Sequence, residues 1–415
     1  MKAEILCVGT ELLLGDIVNT NAAYIAKELA NIGIDVYYQS VVGDNNDRLK
    51  TGLNLAFSRA DIVIMTGGLG PTYDDLTKET VAEYFHKDMQ MDQASLESIE
   101  AFFKKIDRPM TQNNKKQAMM PVGATIFANA HGTAPGLALS ENGKTAILLP
   151  GPPSEMKPMF DESVVPYLMG FSDKVLVSHN LRLFGTGESQ VEEILYDLMK
   201  NSSNPTVAPY AKTGEVTLRV TAAGDTAEEC EKLIAPVVAQ IEDKLGQFIY
   251  GIDVANLQTA VVEALKEKHL SVATAESCTG GLISQRITQV AGASDVFGCG
   301  VCSYSNEIKQ SILHVSGDTL MEFGAVSKQT AAEMAQGVRQ ISGADIGVST
   351  TGVAGPGGGS EEKPVGLVYI AIDSEKVSKV IKLNLQRGRV DDREHIRHMS
   401  AQHVFQMILD ALKSY

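Results

Sequence analysis

What this sequence lacks narrows it first. Its five cysteines are an odd number and do not form the even, spaced set of a disulfide framework. One C-x-x-C, Cys299 to Cys302, has the spacing of redox and zinc sites, but the second pair of a zinc ribbon is missing. It lies in a small-residue, strand-like run, 296–304, where cysteines are expected as buried filler; a redox role is the rival reading. No uninterrupted apolar stretch is long enough to span a bilayer. The first 18 residues hold one lysine and an apolar run broken by Glu4 and Glu11, the pattern of a core strand rather than a signal peptide. No repeat, coiled coil or low-complexity segment occurs. Basic residues are the minority, 36 against 51 acidic for a net charge of -15, which argues against a general nucleic-acid binder. Local basic pockets for phosphorylated ligands stay open. The expectation is a cytoplasmic protein.

A chain of 415 residues is too long for one ordinary core, and two or three domains are expected. Hydrophobic content of 44% and charged content of 21% describe a soluble globular protein. Near the N-terminus, residues 3–9 read as a buried strand. A helix follows with Ile25, Leu29 and Ile32 on one face, capped by Asn19 or Asn21 and ended by Gly33. A strand at 35–43, a helix carrying Leu49, Leu53, Ala56 and Phe57, and a strand at 61–65 continue the alternation. Such alternation predicts a parallel sheet with helices on both faces and ligands at the carboxyl ends of its strands. Those ends carry Gly9-Thr10-Glu11, Gly43-Asp44-Asn45 and the turn TGGLGPTYDD at 66–75. Its glycines, Gly67, Gly68 and Gly70, would let backbone N–H groups approach phosphates closely. Asp74 and Asp75 either cap the helix at 76–85 or hold a hard divalent cation.

In the last third, an apolar run at 270–275 leads into AESCTGG, 275–281, and a helical pattern of Leu282, Ile283, Ile287 and Val290 follows. Ser277 is thus placed at a strand end, with Thr279, Gly280 and Gly281 opening a helix whose N–H groups and dipole could hold an anion or an oxyanion. A serine there is a helix cap or a nucleophile. As a nucleophile it needs a base, and Tyr304 and Lys309 lie one strand–turn–helix downstream. A lysine can serve only if desolvation or a nearby cation lowers its pKa. Cys278 is the rival nucleophile. The glycine loop 355–359 is either a close approach to a nucleotide phosphate or a mobile connection. Arg393 and Arg397, on a helix expected at 391–412, either meet substrate or form an exposed stripe pairing with Asp391 and Glu394. His395 and His398 read as surface residues. Between these parts, 174–251 forms a smaller α/β unit without the GXXG of RNA-binding KH domains, which favours a spacer or dimerisation role.

ESCTGG, YSNEIK (304–309) and TGVAGPGGG (351–359), together with GTELLLGDIVNTN (9–21), TGGLGPTYDDLTKE (66–79), NKKQAMMP (114–121) and PGPPSEM (150–156), resemble the CinA family over nearly the whole chain. The resemblance implies an α/β protein with three parts: a molybdopterin-binding-like parallel sheet (1–170), a KH-like middle domain (171–252) and an amidase domain (253–415). It implies hydrolysis of NMN to nicotinate mononucleotide and ammonia. By motif position Ser277 would be the nucleophile, Lys309 its base and Tyr304 a helper, with Thr279, Gly280, Thr351, Gly352, Gly355 and Arg393 on the substrate and no cofactor. For the first domain it implies hydrolysis of ADP-ribose to AMP and ribose 5-phosphate with Mg, Mn or Co. There Gly67, Gly68, Gly70 and Thr72 would contact substrate, and Asp44, Asp74, Asp75 and Glu155 would be metal ligands. The family run shows an arginine where Lys115 stands; lysine brings charge without the bidentate fork. A homodimer acting on small nucleotides, without nucleic acid or membrane, is the expected form. The alternatives are a non-catalytic partner in DNA uptake or damage responses and, for the first domain, a molybdopterin adenylyltransferase-like activity.

Overall fold

The computed structural model describes residues 1–171, 174–390 and 392–415. They divide into two compact units, 1–177 with 222–232, and 178–221 with 233–415.

The first unit is built on a six-stranded sheet. Its strands are β1 (Lys2–Val8), β2 (Asp35–Val42), β3 (Ile62–Thr66), β6 (Thr125–Phe127), β7 (Gly136–Glu141) and β8 (Lys144–Leu149), in the order β2-β1-β3-β8-β7-β6. A separate two-stranded ribbon pairs β4 (Met89–Met91) with β5 (Met119–Pro121). Because side chains alternate across a strand, neighbours in β1 serve opposite cores. Ile5 packs with Ile25, Leu29 and Phe160 on one face, and Leu6 with Leu49, Leu53 and Phe57 on the other. Asn19 is the residue that caps the first long helix, its side chain accepting from the Ala22 N–H at 3.1 Å.

The sheet is not wholly parallel, as the alternation had predicted: β7 runs antiparallel to β8, and β6 to β7. The cause is local. Asn142 (φ 50°) and Gly143 (φ 74°) form a two-residue turn between the paired Glu141 and Lys144, the hairpin connection that Asn-Gly favours.

The stretch expected as a middle domain carries β9 (Val175–Phe184), β10 (Thr206–Lys212), β11 (Glu215–Gly224) and β12 (Ile249–Ile252), in the order β10-β11-β9-β12, with helices Glu188–Asn201 and Ala227–Leu245. The last sheet contains β13 (Val272–Glu276), β14 (Phe297–Cys302), β15 (Ile346–Gly352), β16 (Leu367–Ser374) and β17 (Ser378–Asn384), ordered β14-β13-β15-β16-β17. β13 is parallel to both neighbours, while β16 and β17 run antiparallel. Its core gathers Val272, Ile283, Ile346, Val348, Phe405 and Ile408. β14 is an edge strand, so alternate positions stay open. Cys299 is half-buried and Cys302 exposed, which corrects the buried-filler expectation. The closing helix is described from Asp392 to Leu412; Asp391 and any pairing with it lie outside the described residues. Among the described residues no helix is long and apolar enough to cross a membrane.

Candidate functional site

Every residue of β13 is buried, and parallel partners on both sides fix where it stops. The Ser303 N–H donates to the Glu276 carbonyl at 2.8 Å, and the Ser277 N–H to the Thr350 carbonyl at 3.0 Å. Ser277 therefore leaves the sheet at the carboxyl ends of its central strands, 9% exposed. The turn after it uses Gly280 (φ 60°) and Gly281 (φ 91°) in left-handed geometry that a side chain would strain. The Thr279 hydroxyl is buried against that of Thr350 at 2.7 Å.

The start of the following helix, Leu282–Thr288, does not offer free N–H groups as the sequence suggested. The Glu276 carboxylate curls back and accepts from the N–H groups of Ile283 (3.1 Å) and Ser284 (2.8 Å) and from the Ser284 hydroxyl (2.7 Å). Glu276 is 1% exposed. Ser277 is thus not the cap; its neighbour is.

Lys309 comes from the helix Asn306–Ser311, which Ser305 caps. The side chain is 1% exposed, and its Nζ lies 3.3 Å from Ser277 Oγ, 2.7 Å from the Ser303 carbonyl and 3.4 Å from the Tyr304 carbonyl. Burial holds the Lys309 pKa below the ordinary lysine value. A neutral amine has two N–H donors and one lone pair. Two carbonyls can take the donors, which leaves the lone pair for the serine hydroxyl. Cys278, beside Ser277, is buried, and desolvation pushes its thiol up to about 12, so it stays protonated at neutral pH.

The other expected residues are distributed as follows. Tyr304 is 67% exposed and meets the pair through its carbonyl; among the described residues its hydroxyl bonds to neither Ser277 nor Lys309. The Thr351 hydroxyl is buried and donates to the Ala325 carbonyl at 2.6 Å. Gly352 packs so close to β16 that a Cβ would stand 2.6 Å from the Leu367 carbonyl oxygen. Arg393 Nη1 donates to the Gly355 carbonyl, which ties the closing helix to the glycine loop. Arg397 is no exposed stripe: half-buried, it donates through Nε (3.2 Å) and Nη2 (2.8 Å) to the Thr279 carbonyl in the turn after Ser277. His395 and His398 are half-buried rather than surface residues, and burial lowers the His398 pKa. The helix-capping role of Glu276 was missed although Glu276 lies inside the ESCTGG run, and the sequence weighed Arg397 without its contact to the Thr279 carbonyl.

In the first unit, all the expected ligands and contacts, namely Asp44, Asp74, Asp75, Glu155, Gly67, Gly68, Gly70 and Thr72, line one cavity of about 400 Å³. Asp44 Oδ2 accepts from the Thr10 N–H (2.8 Å) and hydroxyl (2.9 Å). The Thr72 hydroxyl stands between Asp74 and Asp75, and its N–H donates to Asp75 Oδ2 at 2.9 Å. Asp74 is held below the usual carboxylate range, chiefly by Thr72. The helix Thr77–Tyr84 begins without a side-chain cap, so the two aspartates do not serve it. Glu155 accepts from Asn129 Nδ2 at 2.6 Å. The cation beside this loop is Lys116, whose Nζ reaches the carbonyls of Thr72 and Asp75. Among the described residues no three His, Cys, Asp or Glu side chains converge on one metal position. An all-oxygen set spread round a cavity still suits a Mg-type ion, which commonly takes one or two carboxylates and completes its shell with substrate phosphates and water.

Comparison with known proteins matches three successive segments of the chain. Residues 254–412 match the CinA C-terminal domain, 4–170 a probable molybdopterin binding domain, and 178–251 the damage-inducible protein CinA KH domain. A putative competence-damage inducible protein of Clostridium novyi is 56% identical over 397 residues, 96% of this chain and 95% of that one. The chain belongs to the CinA family. A CinA-like protein of Kosmotoga olearia is 50% identical over 412 residues, 99% of both chains. Among solved structures, a competence/damage inducible protein of Agrobacterium tumefaciens is 40% identical and covers 38% of this chain and 93% of its own, with a TM-score of 0.36. CinA membership with a molybdopterin-binding-like first domain supports a nucleotide-processing function of the CinA type.

Proposed function

We propose that this CinA protein deamidates NMN in its last domain and hydrolyses ADP-ribose in its first. The observation that carries the first half is the Ser277–Lys309 pair: a buried amine 3.3 Å from a serine hydroxyl, with no ion pair to Lys309 among the described residues. Lys309 takes the Ser277 proton as Oγ attacks the carboxamide carbon. The resulting oxyanion is met by N–H groups of the Cys278–Gly281 turn other than that of Gly280, which donates to the Ser277 carbonyl; Arg397 braces the turn through the Thr279 carbonyl. Lys309 returns the proton to the departing nitrogen, and ammonia leaves an ester on Ser277. Water then attacks the ester carbon, giving its proton to Lys309, which passes it to Ser277 Oγ as the nicotinate is released. The glycine loop, held by Arg393, supplies backbone donors for the nucleotide phosphate.

In the first domain the turn 67–70 gives close backbone approach to a diphosphate, and Lys116 adds positive charge behind it. Asp44, Asp74, Asp75 and Glu155 supply the oxygen ligands for a divalent ion, which would neutralise the diphosphate and lower the pKa of a water. Incubating the protein with NMN, and separately with ADP-ribose plus Mg²⁺, Mn²⁺ or Co²⁺, tests both halves. Nicotinate mononucleotide with ammonia, and AMP with ribose 5-phosphate, are the expected products; intact substrates would overturn the assignment.

A further inference from the structure

Arg286 is a buried cation that the deamidase reading leaves unused. It lies on the helix Leu282–Thr288, just after the Ser277 turn, and is 8% exposed. Its Nη2 donates to the side-chain oxygens of Gln258 (2.6 Å) and Gln402 (2.7 Å), and its guanidinium lies 4.7 Å from the centre of the Phe405 ring. Its Nη1 is buried without a partner, so the two bonds at Nη2 are what hold it. Burial lowers the Arg286 pKa, and the charge of Glu215 acts against that. Glu215 comes from another part of the chain, the segment 178–251 that matches the KH domain. It opens β11, next to Gly214 (φ 79°) in the turn between β10 and β11. Its Oε1 accepts from Gln402 Nε2 at 2.7 Å. The amide of Gln402, 2% exposed, therefore joins a carboxylate at one end to a guanidinium at the other. The same turn is pressed onto the closing helix: a Cβ on Gly214 would stand 2.5 Å from Met399 Sδ.

The two helices joined by this relay both border the turn after Ser277. The closing helix carries Gln402 little more than one turn after Arg397, whose guanidinium holds the Thr279 carbonyl. The helix of Arg286 is the one whose first N–H groups are held by Glu276. A buried polar relay adds little net stability, because desolvation offsets the attraction, but it favours one geometry over its neighbours. We propose that Glu215 is a positioning residue for the Ser277 site: through Gln402 it fixes the closing helix against Leu282–Thr288 and so sets the Arg397 contact that braces the turn. The proposal rests on the deamidase reading and deepens it, since it makes the hairpin of the middle segment a working part of that site rather than a spacer. Coupling of this kind is read from paired substitutions, not from contiguity alone.

A swap in the full chain tests this. Gln402→Glu sets two carboxylates against each other across the hairpin contact while keeping an oxygen for Arg286. It should lower kcat on NMN about tenfold, less than the outright loss of an oxyanion donor, with KM and ADP-ribose cleavage unchanged. Adding Glu215→Gln restores the bond with donor and acceptor exchanged, and kcat should return to within about threefold of the unaltered protein. In an Arg397→Ala background, Gln402→Glu should cost nothing more in kcat. Amide hydrogen exchange supplies a readout that needs no substrate. Residues 278–284 should exchange faster in Gln402→Glu and regain protection in the swapped pair, while β13 and β15 stay protected throughout. A swap that restores neither readout, an added loss in the Arg397→Ala background, or deprotection shared by β13 and β15 overturns the proposal. If the unaltered protein leaves NMN intact, exchange alone decides, and the deamidase reading falls while the relay stands. NMN turnover indifferent to Gln402→Glu would do the reverse.

Discussion

Lys78 in the first unit and Lys309 in the last are both fully buried, at 2% and 1% exposure, and neither forms an ion pair among the described residues. Burial lowers the pKa of each, that of Lys78 to about 8. Both donate to a pair of consecutive backbone carbonyls: Lys116 (3.1 Å) and Gln117 (2.7 Å) for Lys78, Ser303 (2.7 Å) and Tyr304 (3.4 Å) for Lys309. The difference is the third position of the amine. At Lys309 it faces the Ser277 hydroxyl; among the described residues Lys78 bonds to no hydroxyl and pins the segment that carries Lys116 to its own helix. Burial alone therefore makes a lysine easier to neutralise. A proton donor in front of the lone pair, as at Lys309, is what the proposed base chemistry would need in addition.

The strongest way to break this contrast is to remove the hydroxyl. Ser277→Ala should cut ammonia release from NMN by roughly 10⁴-fold or more while ADP-ribose cleavage continues. Survival of NMN turnover would reduce the pair to a structural contact. Removing the amine comes next. Lys309→Met should cost about 10²–10⁴-fold, the usual share of a general base. In the unaltered enzyme kcat/KM should rise with pH through a value below the ordinary lysine pKa, because the neutral amine is the active form and burial favours it. That limb should vanish in Lys309→Met, so the loss should be larger at high pH, where the amine of the unaltered enzyme is neutral, than at low pH; a uniform loss at every pH would mean that the lysine only positions the serine.

Lys78→Met sharpens the comparison from the other side. NMN turnover should be unchanged, while two carbonyls lose their donor and the first unit loses about 1–3 kcal/mol in melting experiments. The pH dependence carries a sign. An unfolded lysine is charged up to about pH 10.4, whereas Lys78 in the fold is charged only below about 8. Between those values the unfolded chain holds more protons, so stability climbs as pH rises through the window, and the charging penalty is complete below about 8. Lys78→Met should flatten that slope. If the slopes match, Lys78 is not the group that titrates. The smallest effect is expected from Cys278→Ala, since a thiol pushed up to about 12 contributes no nucleophile; a loss comparable to that of Ser277→Ala, measured as ammonia release, would reverse the assignment between the two neighbours.

How far these features could be read in advance depends on whether they are local. Asn19 before the first long helix, and Ser327 before Lys328–Ser342, are caps whose chemistry is contained in a few residues. The Ser277, Tyr304 and Lys309 trio was visible as motifs, but the distance between the first and the last required the β13–β14 pairing that brings Glu276 beside Cys302. Strand order is not written locally, and so β14 was not recognised as an edge and Cys302 was placed inside. Asn142-Gly143 was a local signal that the reading of the first sheet passed over. Arg397 could not be separated from Arg393 by spacing, because only the fold decides which of them meets the Thr279 carbonyl.

The carboxylate of Glu276 has one more effect. With the first amide hydrogens of the Leu282–Thr288 helix already stoppered by an internal anion, a dianionic tail has no berth beside the reactive hydroxyl and would be repelled there. On the proposed deamidase reading, the phosphate of NMN would then lie away from Glu276, towards Gly355 and Arg393, with the ring end at Ser277. On that reading the orientation would be favoured before binding, by a carboxylate already committed to its own helix.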